Sequence, residues 1–291
     1  MSRRLPVWFK QELHEPKIVS IMSRLLDELS LHTICQSALC PNIGDCFSQK
    51  TATFLILGDV CTRNCTFCAV KKGIPLPVDE DEPQRLLEAV HRLGLSYVVI
   101  TSVTRDDLAD GGASQFVKAI NLLRGNNVAV EILTPDFLGS SKALGAVVNA
   151  HPWVISHNVE TVPRLYSEVR PSADYGRSLK LLFMVKSLDI EIVTKSGVML
   201  GLGEKKGEVI EVMRDLRQAK CDLLTLGQYL QPSPKHHPVV RFVHPEEFSE
   251  FQQIGRSMGF SGVLSAPLVR SSFKAAELYA EVKVQTISRA G

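Results

Sequence analysis

Six of the chain's seven cysteines fall between Cys35 and Cys68, and their spacing is the strongest chemical signal in the 291 residues. The later three occur in Cys61-Thr-Arg-Asn-Cys65-Thr-Phe67-Cys68, a C-x3-C-x2-C pattern directly after an apolar run over 53–58. Thiolates supplied this closely from one loop can surround a cubane and hold three of its irons, and no fourth cysteine follows at a ferredoxin-like interval. An iron without a protein thiolate is a Lewis-acid position that a bidentate small molecule can occupy, much as an open position makes a zinc site catalytic. The competing reading is a structural zinc loop. Zinc modules usually pair C-x2-C units at a distance, and the chain lacks that arrangement.

The earlier three cysteines lie in Cys35-Gln-Ser-Ala-Leu-Cys40-Pro-Asn-Ile-Gly-Asp-Cys46, a C-x4-C-x5-C spacing that again leaves one metal position for another ligand. Cys221 is the remaining thiol. It precedes an apolar strand and reads as a small packed residue, so the missing ligand is sought elsewhere.

The elements that must position these cysteines show a βα rhythm from residue 53 onward. Strands are predicted over 53–58, 97–102, 128–133, 153–157, 191–194, 223–227 and 262–265. Between them, Pro83 opens a helix that carries Leu86, Leu87, Val90 and Leu93 and closes at Gly94. Ser114 can cap a second, with Phe116, Ile120 and Leu123 on one face; Val209, Val212, Met213 and Leu216 mark a third. Six or seven such units are too few for a closed eight-unit barrel. They fit an open partial barrel, with a doubly wound sheet as rival, and either places the site at the C-terminal ends of the strands. Residues before about 50 form a helical and loop extension, and 231–245 reads as a long loop rich in proline and histidine.

Bulk properties exclude little but agree with this. With 33 basic and 31 acidic residues, the net charge of +2 gives no reason to propose a nucleic-acid partner. The basic start up to Gln11 and Glu12 has no apolar stretch of signal-peptide length, and no uninterrupted apolar run could span a bilayer. A cytoplasmic protein without a membrane partner is expected, and in that reducing compartment clustered cysteines indicate metal or catalysis.

The C-x3-C-x2-C loop after the first strand resembles that of the radical S-adenosylmethionine (SAM) superfamily. The resemblance implies a partial (β/α)6 barrel, with the amino and carboxylate groups of SAM chelating the open iron. One electron then splits the sulfonium to a 5′-deoxyadenosyl radical. Phe67 matches the aromatic near the adenine; its bland alternative is a core aromatic. With the second triplet and the segment Arg270-Ser271-Ser272-Phe273, the resemblance narrows to the lipoyl synthase family. Further matching stretches include His157-Asn-Val-Glu-Thr, Thr194-Lys-Ser-Gly-Val-Met and Leu226-Gly-Gln-Tyr-Leu-Gln-Pro-Ser, so that roughly residues 30 to 275 are covered.

That family implies two 4Fe-4S clusters: one on Cys61, Cys65 and Cys68, the other on Cys35, Cys40, Cys46 and a serine, by position Ser272, with Ser271 as the alternative. Phe273 departs from the family's usual tyrosine. The implied reaction is sulfur insertion at C6 and C8 of a protein-bound octanoyl-lysine, with the auxiliary cluster as sulfur donor and two SAM consumed. Octanoylated lipoyl carrier domains (2-oxoacid dehydrogenase E2 subunits and the glycine cleavage H protein) and a ferredoxin- or flavodoxin-type reductant are the implied partners. Asn158 and Glu160 follow the fourth strand, where ribose and methionine groups should bind, and Arg170 and Lys195 could meet a carboxylate. The sequence divides into an N-terminal extension over 1–50, a barrel over 51–265 and a C-terminal extension over 266–291.

Two other readings stand beside this one: a two-cluster enzyme that adds sulfur to transfer RNA, which would call for a basic RNA-binding module, and a non-enzymatic electron carrier, which needs no open iron. Asp106, Asp107 and Asp110 read as an acidic turn before Gly111 and Gly112, and His236 and His237 as solvated loop histidines.

Overall fold

The computed structural model describes residues 5–9, 16–49 and 51–290; Gln11 and Glu12 lie outside them. Its strands are β1 (His32–Thr33), β2 (Thr53–Ile56), β3 (Val60–Cys61), β4 (Lys71–Lys72), β5 (Tyr97–Ser102), β6 (Ala129–Leu133), β7 (Val154–Ser156), β8 (Val193–Leu200), β9 (Leu223–Gln228) and β10 (Gly262–Ser265). One sheet runs in the order β1-β2-β5-β6-β7-β8-β9-β10, parallel from β2 through β10, with β1 antiparallel on one edge. The end strands β1 and β10 do not meet, so the partial barrel is open as expected and carries β10 as an extra parallel strand. The ribbon β3-β4 closes the base of the second cysteine loop.

The helices are α1 (Pro16–Glu28), α2 (Ile34–Ser37), α3 (Ile43–Ser48), α4 (Glu82–Leu93), α5 (Ala113–Gly125), α6 (Ser141–Asn149), α7 (Tyr166–Val169), α8 (Tyr175–Leu188), α9 (Lys206–Gln218), α10 (Pro245–Ser257) and α11 (Ala275–Ala290). The apolar faces read from the sequence are the buried ones: Leu86, Leu87 and Val90 in α4, Phe116, Ile120 and Leu123 in α5, Val209, Val212, Met213 and Leu216 in α9. Gly94 ends α4 in the left-handed region, at φ +69°. Ser114 is not the cap of α5. The Asp110 carboxylate accepts from the amides of Gly112 (2.9 Å) and Ser114 (2.8 Å), two of the donors a helix start leaves unpaired. Met22, Leu26 and Leu29 of the N-terminal extension share one apolar core with the barrel strands, as does Cys221.

Strand β8 runs six residues beyond its predicted end because its polar residues face a polar interior. Lys195, fully buried, pairs with Glu131 at 2.7 Å, and Glu131 also accepts from the Tyr97 hydroxyl (2.7 Å) and from Ser156 Oγ (3.1 Å). A buried ion pair stands only when its remaining lone pairs are met, and here they are. At the N-terminal ends of the strands, Val154, Val193 and Leu223 pack against Leu278 of α11 and close the barrel floor.

Two features shape the opposite end. Buried His157, just after β7, has Nδ1 2.8 Å from the Thr134 carbonyl and Nε2 3.0 Å from Ser178 Oγ, tying the ends of β6 and β7 to α8. Gly227 lets the returning C-terminal segment lie on β9: a Cβ there would stand 1.9 Å from the Val269 carbonyl oxygen.

Gly227→Ala is therefore expected to displace residues 269–272 and to cost roughly 1–3 kcal/mol, the scale of overpacking. Thermal unfolding of the metal-free protein checks this, and an unchanged midpoint would refute the close approach. His157 gives a pH signature. Burial, and then the charge of Arg170, push its pKa down from 6.5 to about 4. The unfolded chain therefore binds the proton first, so this contribution to stability is whole above pH 6.5 and is lost as pH falls toward 4. Melting of the metal-free protein should decline across that window, and less steeply in His157→Gln; parallel profiles would count against it.

Candidate active site

A cavity of about 490 Å³ opens at the C-terminal ends of the strands. Its wall includes Cys35 and Cys40 from the first triplet and Cys65, Phe67 and Cys68 from the second. Asn158, Glu160 and Arg170 follow β7, and Arg270, Ser271 and Ser272 come from the C-terminal segment. Residues far apart in sequence thus face one volume.

The loop of the second triplet is fixed from several sides. The amides of Arg63 and Thr104 point at Cys61 Sγ from 3.4 and 3.3 Å. Thr62 donates to the Thr104 carbonyl and Thr66 to the Val169 carbonyl, while the His237 amide donates to the carbonyl of Thr66, each at 3.0 Å. Arg63, within the motif, forms a two-pronged pair with Asp106 (2.7 and 2.9 Å) and meets Asp136 at 2.5 Å.

Burial pushes the Cys68 thiol up to about 12, with the nearby thiols of Cys65 and Cys61 adding to the rise. In the first triplet, burial carries Cys46 up to about 12, helped by Cys35 and Cys40, and Cys35 up to about 11. Thiols that oppose one another's ionisation lie near one another, and such buried thiols suit a shared cationic centre, since metal draws a buried thiol into its thiolate form. Among the described residues no three His, Cys, Asp or Glu side chains converge as a single ion would require. By donor chemistry alone, soft thiols in threes suit an iron–sulfur centre.

The cavity wall also fits a polar cosubstrate. Four buried polar atoms of lining residues have no hydrogen-bond partner: Ser102 Oγ, Thr134 Oγ1, Asn158 Oδ1 and Arg170 Nε. Such atoms are costly unless a ligand meets them. Arg170 is held through Nη1 by the carbonyls of Asn158 (2.9 Å) and Val159 (3.2 Å) and by the Tyr166 hydroxyl (3.2 Å), while its buried Nε has no partner. Glu160 has φ +64°, a strained backbone for glutamate, and accepts from Asn158 Nδ2 at 3.1 Å. Burial raises its pKa while Arg170 opposes the rise. Gly197 keeps this wall open, since a Cβ would stand 2.9 Å from both Asn158 Oδ1 and Thr225 Oγ1.

The C-terminal segment reaches the first triplet through two contacts. Asn42 Nδ2 donates to the Leu268 carbonyl at 2.7 Å, and Thr53 Oγ1 donates to Ser272 Oγ at 2.7 Å. Thr53 also lies beside the Cys35 thiol and works against the rise that burial causes there, so Ser272 and Cys35 share a neighbour.

Phe67, Asn158, Glu160, Arg170 and Ser272 thus come together at the cavity. Lys195 does not line it; the expectation that it meets a carboxylate ligand gives way to its buried pair with Glu131. The acidic turn is divided among partners: Asp106 serves Arg63, Asp107 serves Arg105, and Asp110 caps α5. His237 is buried, not solvated, with Nε2 3.1 Å from Glu168, and His236 is half-buried against Ser233. Sequence reasoning passed over Arg63 and Arg270, although both sit inside the motifs it used.

Residues 55–216 match the family model described as the radical SAM superfamily. The chain is 57% identical to the lipoyl synthase of Caldanaerobacter subterraneus subsp. tengcongensis over 94% of its own length and 97% of that protein. It is 56% identical to that of Aquifex aeolicus, covering 92% and 98% of the two chains. Among solved structures, the FeFe-hydrogenase maturase HydG from Carboxydothermus hydrogenoformans superposes with a TM-score of 0.60 at 13% identity, over 91% of this chain and 68% of that one. Streptococcus suis SuiB bound to S-adenosylmethionine gives 0.55 at 11%, over 74% of this chain and 49% of its own, and these two likenesses speak for the fold. With its open parallel barrel, its cysteine loop after the first parallel strand and curated relatives matched nearly end to end, the chain belongs to the lipoyl synthase family of radical SAM enzymes.

Proposed function

We propose that this chain is a sulfurtransferase that inserts sulfur at C6 and C8 of an octanoyl chain amide-linked to a lysine of a lipoyl carrier protein, giving lipoyl-lysine. The observation that carries the reading is the single cavity walled by thiols of both triplets together with Ser271 and Ser272. An alkyl C–H bond offers neither an acidic proton nor a polarised carbon, so side-chain acids, bases and nucleophiles have nothing to act on. A 4Fe-4S cluster on Cys61, Cys65 and Cys68, with SAM at its open iron, supplies one-electron chemistry that removes such a hydrogen.

The protein's part is to bind, orient and exclude water. The idle Nε of Arg170 suits the carboxylate of SAM; Asn158 and Glu160 suit its hydroxyl and amino groups, and Phe67 its adenine face. The segment after β9 shields the cavity: Leu230, Gln231 and Pro232 line it, and the Tyr229 hydroxyl donates to the His237 carbonyl at 2.7 Å.

In this reading Cys35, Cys40, Cys46 and Ser272 hold the auxiliary cluster, which is a substrate, because two of its sulfides become the product's sulfurs. A hard alkoxide matches cluster iron less well than thiolate, so serine is the ligand suited to leave. The carriers are 2-oxoacid dehydrogenase E2 subunits and the glycine cleavage H protein, with a ferredoxin- or flavodoxin-type reductant, in the cytoplasm. No helix among the described residues is long and apolar enough to cross a membrane.

Anaerobic reconstitution with iron and sulfide, then SAM, reductant and an octanoyl-lysyl peptide, tests the reading. The peptide should gain two sulfurs, two of its C–H bonds having become C–S bonds. SAM cleavage with an unchanged peptide would leave only the superfamily assignment standing. Ser272→Ala should still cleave SAM yet form at least about tenfold less product, since losing a direct ligand costs no less than losing an outer-shell partner. Undiminished product would remove Ser272 from the site.

A further inference from the structure

Arg270 is a cation in the cavity wall with no carboxylate matched to it among the described residues. Nη1 donates to the carbonyl of the adjacent Val269 at 2.7 Å, and the acidic side chain whose charge would reach the guanidinium is the Cys40 thiol. The other guanidiniums of the cavity are provided for: Arg63 by Asp106 and Asp136, Arg170 by the facing charge of Glu160. Position along the cavity is fixed too. A Cβ on Gly227 would approach Arg270 Nη1 at 3.4 Å, so the side chain lies against β9, and Ser271 and Ser272 follow it directly in the same wall. A half-buried guanidinium without a matched anion is unfavourable, and one that shares a cavity wall with Cys35 and Cys40 is placed to meet negative charge gathered there.

We propose that Arg270 is the counter-charge of the auxiliary cluster, a positioning residue that offsets the negative charge of three thiolates, one alkoxide and the sulfides they surround. The inference rests on the reading that Cys35, Cys40, Cys46 and Ser272 hold that cluster. A fixed positive charge beside a cluster favours its more negative, reduced state and resists loss of its anionic ligands. Arg170, with its idle Nε beside Glu160, is the better placed cation for the carboxylate of SAM, so Arg270 is left for the other anion.

The test uses the full chain reconstituted with both clusters, as Arg270→Gln, Arg270→Lys and the unsubstituted protein. Iron release to a chelator, potentiometric titration of each cluster followed by electron paramagnetic resonance, and the spectral response to SAM are measured in each. In Arg270→Gln the auxiliary cluster should move to a lower potential and release iron roughly tenfold faster, the scale of one charge-assisted contact. The other cluster should keep its potential and its response to SAM, which also reports that the barrel is intact. Arg270→Lys should restore most of both effects. An unchanged auxiliary cluster in Arg270→Gln would overturn the inference, as would equal losses in Gln and Lys variants, the mark of a packing role. Weakened SAM response with a normal auxiliary cluster would reassign Arg270 to the cosubstrate. About four irons per chain in the unsubstituted protein, instead of about eight, would instead remove the second cluster itself.

Discussion

Arg63 carries a full charge into the base of the loop that presents three thiols, and a charge so deeply placed must be met or the loop cannot rest there. Burial works against its ionisation, but the carboxylates of Asp106 and Asp136 more than offset that and raise its pKa. Burial likewise opposes the charge of Asp136, and the bond to Arg63 still holds it down to about 2. Each partner is thus ionised because the other is. Since Asp106 follows β5 and Asp136 follows β6, the clamp fastens the loop after β2 to the two neighbouring strand ends. The clamp thus anchors the loop that carries Cys61, Cys65 and Cys68.

The same logic of anchoring brings in the distant ligands. The first triplet precedes the barrel and the serine motif follows it, so their meeting depends on close approach of backbone to backbone. Gly227 permits that approach by having no side chain, and Asn42 and Thr53 convert it into hydrogen bonds from both flanks. Thr53 is the first residue of β2, which makes the strand carrying the radical SAM loop also the support for Ser272. In the proposed reaction a carbon activated beside the radical SAM loop must reach sulfur held by the first triplet, and β2 anchors both regions.

Much of this was legible in the residues. Strands 97–102 and 262–265 coincide with β5 and β10, and the helix faces in α4, α5 and α9 follow from periodicity alone. What escaped the sequence were polar residues with long-range partners. Strand β8 looked short because Lys195 and Ser196 interrupt its apolar pattern, and only Glu131, more than sixty residues earlier, makes that lysine an interior residue. His237 looked solvated for the same reason, its partners Thr66 and Glu168 being remote in the chain. Asp110, and not the adjacent favourite Ser114, caps α5 because its carboxylate reaches two amides at once. Local patterns reveal where apolar surface must be covered. They do not reveal which buried charge will find which other.

The thiols complete the argument. With Cys35 raised to about 11 and Cys46 and Cys68 to about 12, burial favours the neutral form of these three thiols. Loading iron exchanges those protons for metal, so the charge that burial forbids appears only together with the cations that balance it. The same burial would give each iron–thiolate bond a low-dielectric setting. The proposed reaction, in which a cluster yields its sulfur and is taken up again, needs both conditions, a neutral cradle before loading and a charged one after, and buried thiols on the loop after β2 and on the α2–α3 segment suit both.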